Sequence, residues 1–391
     1  TFNAGEADAG KVYLYLGSAK GLSKGAVWSV GSRQEGEQFG VEVASGDVNG
    51  DGFSDVAVGA VGYVENKIRT GKVYLYLGGP RGPSSTPDWT TVGEQKGGAS
   101  FGAGLSFGDV NGDGFADLLV GANGFPSGKK AGAGKIYLYF GSKEGPSNSY
   151  VWSSTGDDAP HASFGYPVLL FDLDGDRMAD LLVSAIGFYG KTFFFPGSAR
   201  PSPRPLWTSI GEKEGGALFG SAVAAGDVNG DGYFDLAVGA YAMDNPGKTD
   251  SGKLYLFEGS ADGLPSEPVW TAIGDDREDA FYGFSAVMGD VNGDGYADLL
   301  VGAQSQTETV VNAGKAFLYL GSPKGFSAPA WTSVGANVDH AFFGTAVALG
   351  DFNGDGANDL VVSAPLQGTE EKERVGAVYV YLGRKETGPP H

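Results

Sequence analysis

The stretch Gly46-Asp47-Val48-Asn49-Gly50-Asp51-Gly52-Phe53-Ser54-Asp55 decides the fold, because it returns. Its acidic part begins again at Asp109, Asp172, Asp227, Asp290 and Asp351, at intervals of 62, 63, 55, 63 and 61 residues, giving six copies. A second element, Gly-Lys-Val-Tyr-Leu-Tyr-Leu-Gly at 10–17 in its first occurrence, recurs at 71–78, 134–141, 190–197, 252–259, 314–321 and 376–383, giving seven. Between these fall Trp28, Trp89, Trp152, Trp207, Trp270 and Trp331. A period of this length is one supersecondary unit repeated, and it sets the architecture before any single element is assigned.

Each period reads as four short strands. Phe219–Gly226 alternates small and apolar residues (A), Asp235–Ala240 is an apolar run (B), Lys253–Phe257 alternates Leu with aromatics (C), and Val269–Ile273 carries the tryptophan (D). Gly, Pro, Ser and Asp punctuate the breaks, and no window shows a sustained 3.6-residue apolar period. Four antiparallel strands repeated about an axis make an all-β fold, a β-propeller, with small residues of A at the crowded centre and aromatics between blades. The expected organisation is one propeller domain over 1–391, with repeats near 1–38 (partial), 39–100, 101–163, 164–218, 219–281, 282–342 and 343–391.

Closure of the ring is open between six and seven blades. Strands A, B and D each occur six times, but C occurs seven times. Six blades close if the last A and B strands join a C strand and the Trp28 strand from the N-terminus, which leaves one C strand spare. Seven blades need a further A and most of a B strand, from upstream chain or from another molecule by strand exchange. Mixing terminal strands in one blade would tie down both ends and leave no open edge.

Composition bounds the function. The chain has 27 Lys+Arg against 47 Asp+Glu, a formal charge of −20, and no basic run, so nucleic acid is excluded as a partner. Its 68 glycines, about 17% against a usual ~7%, come with 41% hydrophobic and 12% aromatic residues, enough for a large core. Cysteine is absent, which removes thiol catalysis, thiolate zinc sites and disulfides together. The longest apolar runs are strand-sized, such as Ile136–Phe140, so membrane insertion is not expected. Thr1 is not an initiator and no leader precedes the first strand, which points to a processed or trimmed N-terminus.

The acidic loops carry the chemistry. Positions one, three, five and nine supply side-chain oxygens and position seven a carbonyl, a hard-oxygen set suited to Ca²⁺. The expected ligands are Asp47, Asn49, Asp51, Phe53 and Asp55; Asp109, Asn111, Asp113, Phe115 and Asp117; Asp172, Asp174, Asp176, Met178 and Asp180; Asp227, Asn229, Asp231, Tyr233 and Asp235; Asp290, Asn292, Asp294, Tyr296 and Asp298; Asp351, Asn353, Asp355, Ala357 and Asp359. Asp-Gly and Asn-Gly are good turn residues without any metal, but turn chemistry does not ask for three carboxylates that repel one another. The loop is not an EF-hand, since position twelve is Val58, Val120, Val183, Val238, Val301 or Val362 in place of a bidentate Glu. In the third loop Asp174 replaces Asn and Arg177 replaces the glycine of position six, at a cost of roughly 1 kcal/mol if its φ is positive. Nineteen carboxylates stand in these loops, so about six Ca²⁺ would bring the formal charge from −20 to about −8.

These residues resemble the FG-GAP repeat of the integrin α-subunit propeller and its bacterial relatives. The resemblance rests on Phe39-Gly40, Phe101-Gly102, Phe164-Gly165, Phe219-Gly220 and Phe343-Gly344, each followed by the acidic loop and by Val58-Gly59-Ala60, Val120-Gly121-Ala122, Val183-Ser184-Ala185 or Val362-Ser363-Ala364-Pro365. Tyr282-Gly283 departs from the first pair, and the final proline is present only as Pro365. The family implies a seven-bladed, calcium-binding, extracellular adhesion or recognition module, placed outside the cell or at its surface, with the periplasm as a further option.

Two function classes follow. The first is a noncatalytic recognition or adhesion module, its metal stiffening the A–B hairpin, that binds protein or glycan through the D–A and B–C loops opposite the calcium loops. Those loops vary most, at 62–70, 124–132, 241–251, 304–313 and 366–375. Tyr63, Phe125, Phe188, Tyr189 and Tyr241 are either anchors there or rings packed inward. The second class is a calcium-dependent polysaccharide lyase or hydrolase, which would break the repeat symmetry at the pore with paired carboxylates or Tyr, His or Arg. His161 and His340, which read as solvated loop residues, Arg177, and the charged loops Glu65–Arg69, Asp275–Asp279 and Glu370–Arg374 are the departures, and they form no catalytic set.

Overall fold

The computed structural model describes residues 9–32, 34–187, 190–212, 216–307, 309–368 and 374–385. All regular structure in them is β-strand, and no helix is long and apolar enough to cross a membrane. The second blade is typical: Phe101–Gly108 (A), Asp117–Ala122 (B), Lys135–Tyr139 (C) and Trp152–Ser154 (D) pair antiparallel in that order. The sheets that begin at Phe39, Phe164, Ala222 and Tyr282 repeat it, giving five four-stranded sheets. The fold is a β-propeller of four-stranded antiparallel blades.

At the ends of the chain the pairing is as follows. The last A and B strands, Val347–Gly350 and Asp359–Ala364, pair with the C strand that follows them, Ala377–Tyr381. The N-terminal C and D strands, Lys11–Leu14 and Trp28–Gly31, form a two-stranded sheet of their own. Tyr13 and Tyr15 are both 45% exposed, where the matching Tyr137 and Tyr139 of the second blade are 1% and 3%. Gly17, in the connection between the two N-terminal strands, approaches the last acidic loop so closely that a Cβ on it would stand 2.4 Å from the Phe352 carbonyl oxygen.

Contacts divide the chain into two compact units, one built on 24–172 and 176–209 with the first strand, the other on 210–391 with 16–23 and 173–175. Within each, the tryptophan of one blade packs edge-on against the C-strand aromatic of the next. In the first unit the pairs are Trp28–Tyr76 (5.3 Å), Trp89–Tyr139 (5.4 Å) and Trp152–Phe195 (5.6 Å); in the second, Trp270–Tyr319 (5.3 Å) and Trp331–Tyr381 (4.9 Å). The core is thus a series of inter-blade layers. One joins Ala57, Val73 and Leu75 of the first blade to Leu105, Leu118, Val120 and Tyr137 of the second. At about 25 cal/mol per Å² of apolar surface, such layers are the main source of stability.

The Phe-Gly and Gly-Ala signatures are two halves of one contact. A Cβ on Gly121 would lie 1.8 Å from the carbonyl oxygen of Gly165 in the next blade, and one on Gly302 would lie 2.0 Å from that of Gly344. Only a residue without a side chain lets strand B approach the next inner strand this closely. The Phe-Gly pair also bulges the A strand, with register breaks between Phe39 and Glu42 and between Tyr282 and Ser285. In two blades regular pairing starts later than the Phe-Gly pair, at Ala222 and Val347.

A charged clamp adds to the packing. Lys135 of strand C pairs with Glu94 at the end of the previous blade at 2.5 Å, and the Tyr137 hydroxyl donates to the same carboxylate at 3.1 Å. Lys253 with Glu212 (2.6 Å), Lys315 with Asp275 (2.6 Å), and Lys191 with Asp157 repeat it. In the last blade both members are replaced together, by Ala377 and Ala336.

Candidate metal centre

Each acidic loop joins the end of strand A to the start of strand B, and its backbone is folded around its own carboxylates. In the second loop Asp109 Oδ1 accepts the N–H groups of Gly112 and Asp113, and its Oδ2 that of Gly114. Asn111 Oδ1 accepts Asp113 N–H, and Asp113 Oδ1 accepts Phe115 N–H. The fourth, fifth and sixth loops repeat these bonds with distances of 2.6–3.2 Å. Positions four and six need positive φ, as at Gly112 (75°) and Gly114 (88°). Arg177 adopts the same turn at 72° without being glycine, as the third loop's sequence predicts, and its N–H still reaches Asp172 Oδ2 at 2.8 Å.

In the third loop the carboxylate oxygens of Asp172, Asp174 and Asp176 lie within 4.8 Å of one another. Three oxygens of like charge this close, on a loop with no basic residue among its ligand positions, match the donor chemistry of a hard divalent cation. The oxygens that accept N–H bonds retain further lone pairs for an ion.

Position nine is placed differently. Asp55, Asp117, Asp180, Asp235, Asp298 and Asp359 are 0–1% exposed. Asp235 Oδ2 accepts Val228 N–H at 2.8 Å, and Oδ1 accepts Gly259 N–H at 2.9 Å, at the far end of strand C. Asp55, Asp117, Asp298 and Asp359 make the same pair of bonds, and Asp180 makes the second of them, to Gly197. This carboxylate therefore staples loop, strand B and strand C. The position-seven side chain also has a task the sequence did not reveal. It packs against the position-four glycine of the preceding loop, so that a Cβ on Gly50 would meet Phe115 at 2.9 Å and one on Gly230 would meet Tyr296 at 2.6 Å.

Burial pushes the carboxyls of Asp117, Asp235 and Asp298 up to about 7, against the lowering effect of their backbone N–H donors. The charges of Asp113, Asp231 and Asp294 push the same way. A carboxyl raised in the folded state favours folding while protonated, and that contribution is lost as pH rises from about 4 towards 7. In calcium-free buffer, urea midpoints are expected to fall across this window. A cation bound beside the ionised groups opposes the trend, so added calcium should flatten it.

Of the three described rings on the expected ligand face, one is buried and two are half-buried. Phe125 is 6% exposed beneath the Lys135 ammonium, Tyr63 is half-buried beside Lys72, and Tyr241 packs on Phe281 and Phe284. Phe188 and Tyr189 lie outside the described residues. His161 is exposed; His340 is also exposed, with Asp339 at 3.0 Å. Asp275 belongs to the inter-blade clamp, and residues 370–373 lie outside the described residues. One departure the sequence reading passed over is Glu42, at the fourth position of strand A, where the other copies have Gly104, Pro167, Ala222, Ser285 and Ala346. It lines a pocket of about 340 Å³ with Tyr166, Asn123 and Ser100, and burial pushes its carboxyl up to about 7. Comparing the fourth residue of each inner strand would have found it.

The FG-GAP repeat profile matches residues 39–76, 101–139, 219–257, 282–319 and 343–381. The third copy, with Arg177 in its loop, is outside those matches. The chain is an FG-GAP repeat protein of the integrin-α-like propeller type. It is 29% identical over 398 residues to phosphatidylinositol-glycan-specific phospholipase D of Bos taurus, which covers 90% of this chain and 46% of that protein. It is 36% identical over 190 residues to integrin alpha-PS2 of Drosophila melanogaster (45% of this chain, 13% of the integrin) and 37% over 169 residues to mouse integrin alpha-IIb (40% and 16%). The chain thus spans about half the length of the phospholipase relatives it matches. A solved structure titled a putative 6-phosphogluconolactonase from Bacteroides uniformis superposes with a TM-score of 0.54 at 13% identity, covering 96% of this chain and 93% of that one. That likeness concerns the fold alone.

Proposed function

We propose that this chain is a noncatalytic recognition module, stabilised by about six Ca²⁺ ions, that binds protein or glycan through its D–A and B–C loops. The observation that carries the reading is the convergence of the carboxylate oxygens at positions one, three and five of the third loop, whose pattern repeats six times. Similarity to integrin α chains supports an adhesive role. Exposed oxygen loops of this kind bind calcium weakly, at roughly 10⁻⁴–10⁻³ M in extracellular modules, so they saturate where calcium is plentiful. We place the protein outside the cell or on its surface, the periplasm being the bacterial counterpart. A net charge of −20 argues against nucleic acid as the partner.

Glu42 favours a second reading, a calcium-dependent lyase or hydrolase acting on polysaccharide, because an acid raised to about 7 in a pocket on an inner strand is suited to proton transfer. A screen of glycan and protein arrays, with and without calcium, separates the two. Calcium-dependent binding with the ligand recovered intact supports recognition; release of cleaved glycan rejects it.

A further inference from the structure

The second blade holds an aromatic cage. The Lys135 ammonium lies 5.2 Å from the ring centre of Phe125, 4.7 Å from Tyr137 and 5.4 Å from Tyr150. Tyr150 rests edge-on against Tyr137 at 5.2 Å and Tyr139 at 6.5 Å. It covers Tyr137, which is 1% exposed, while remaining 43% exposed itself.

The first blade has the same framework with one ring fewer. Lys72 lies 4.8 Å from Tyr63 and 4.5 Å from Tyr74, the counterparts of Phe125 and Tyr137. The position of Tyr150, two residues before the tryptophan, is Pro87, as it is Pro205, Pro268 and Pro329 in the later blades, but there the counterparts of Tyr74, namely Phe193, Tyr255 and Phe317, are 0–5% exposed. Pro87, Tyr63, Tyr74 and Tyr76 line a cavity of about 470 Å³, and Tyr74 is only half-buried. The acid of the clamp has moved as well. Ser32 replaces Glu94, and the Tyr74 hydroxyl donates instead to Glu37 at 2.5 Å.

We propose that this cavity is a binding site for a phenol-type ring, the tyrosine side chain of a protein partner, which takes the place that Tyr150 holds in the second blade. The ring would lie edge-on to Tyr74 and Tyr76 and beside the Lys72 ammonium, where its π-face is favoured. Glu37 and the hydroxyls of Ser85 and Thr86 line the cavity and suit a phenolic O–H. The Glu37 carboxylate works against an anionic ring such as phosphotyrosine. Because Tyr150 is reached by solvent, a ring seated in the same way can enter from solution. The inference rests on the recognition reading and names one group recognised.

p-Cresol is the probe, followed by NMR or calorimetric titration of the calcium-loaded chain. Saturable binding of one equivalent is expected. Pro87→Tyr, which supplies the ring from within, should abolish it; Tyr150→Ala, which opens the matching gap in the second blade, should raise it to two equivalents. No binding to the unaltered chain, or unchanged binding to Pro87→Tyr, would overturn the proposal, as would a folded Tyr150→Ala chain that still takes one equivalent. If Tyr150→Ala fails to fold, Pro87→Tyr decides alone. An array without hits alongside p-cresol binding would count against the loop-face reading only; array hits without p-cresol binding would count against this site only.

Discussion

Asp235→Ala should destabilise the protein by about 3–5 kcal/mol with or without calcium, because it leaves two buried backbone N–H groups without acceptors, each costing roughly 1–3 kcal/mol. Asp231→Ala, four residues away on the exposed part of the same loop, should cost much less in EDTA and show most of its effect only when calcium is present. Asp235 is 0% exposed and holds Val228 and Gly259, on two separate segments of the blade. Asp231 accepts only Tyr233 N–H within its own turn. Asp235→Asn should fall between the two, since an amide oxygen replaces one acceptor and introduces a donor where the second N–H points. Urea unfolding of the three variants, each with calcium and with EDTA, measures the contrast. Equal losses for Asp231→Ala and Asp235→Ala in EDTA would show that position nine is no staple.

Removal of calcium should have the largest effect of any single change in conditions. With free calcium at about tenfold the dissociation constant, each site contributes about 1.4 kcal/mol by mass action, so six sites give about 8 kcal/mol. For a chain of this size that corresponds to a fall in Tm on the order of 10 °C on chelation. Magnesium should restore little of it, since a small octahedral ion that keeps its waters suits a flexible loop of carboxylates and carbonyls poorly. Differential scanning calorimetry in calcium, magnesium and EDTA gives the comparison, and coincident curves in calcium and EDTA would remove the structural role of the metal.

Most of the architecture was legible because the period of the repeat carries it. Asp235–Ala240 and Lys253–Phe257 are found with the expected bounds, since an apolar run and an alternating aromatic run fix strands B and C without help from the rest of the chain. Strand A was less legible. Phe219 and Phe343 read as its first residues, but the regular ladder there starts only at Ala222 and Val347. The pairing of the terminal strands could not be read from strand counts, because Lys11–Leu14 and Ala377–Tyr381 have the same pattern and only tertiary contacts choose their partners.

In the third loop, the clustering at positions one, three and five followed from spacing alone. The role of position nine did not, because an aspartate ligand and an aspartate that caps backbone N–H groups look alike in sequence. The acceptor role becomes visible only when the glycine ending strand C, 17–24 residues further on, is brought to it. Glu42 and the cavity beside Lys72 were hidden for another reason. Both are local to one blade, where positions such as Glu42 and Ser32 depart while the repeat as a whole still matches.

The most direct test is the number of calcium ions bound. Equilibrium titration of the metal-stripped chain, with metal content checked by mass spectrometry, should give about six Ca²⁺ per chain, one lost in each variant that replaces the aspartates at positions one and five of a single loop. A chain that binds no calcium at millimolar concentration, or whose stoichiometry is unchanged by those replacements, would contradict the account.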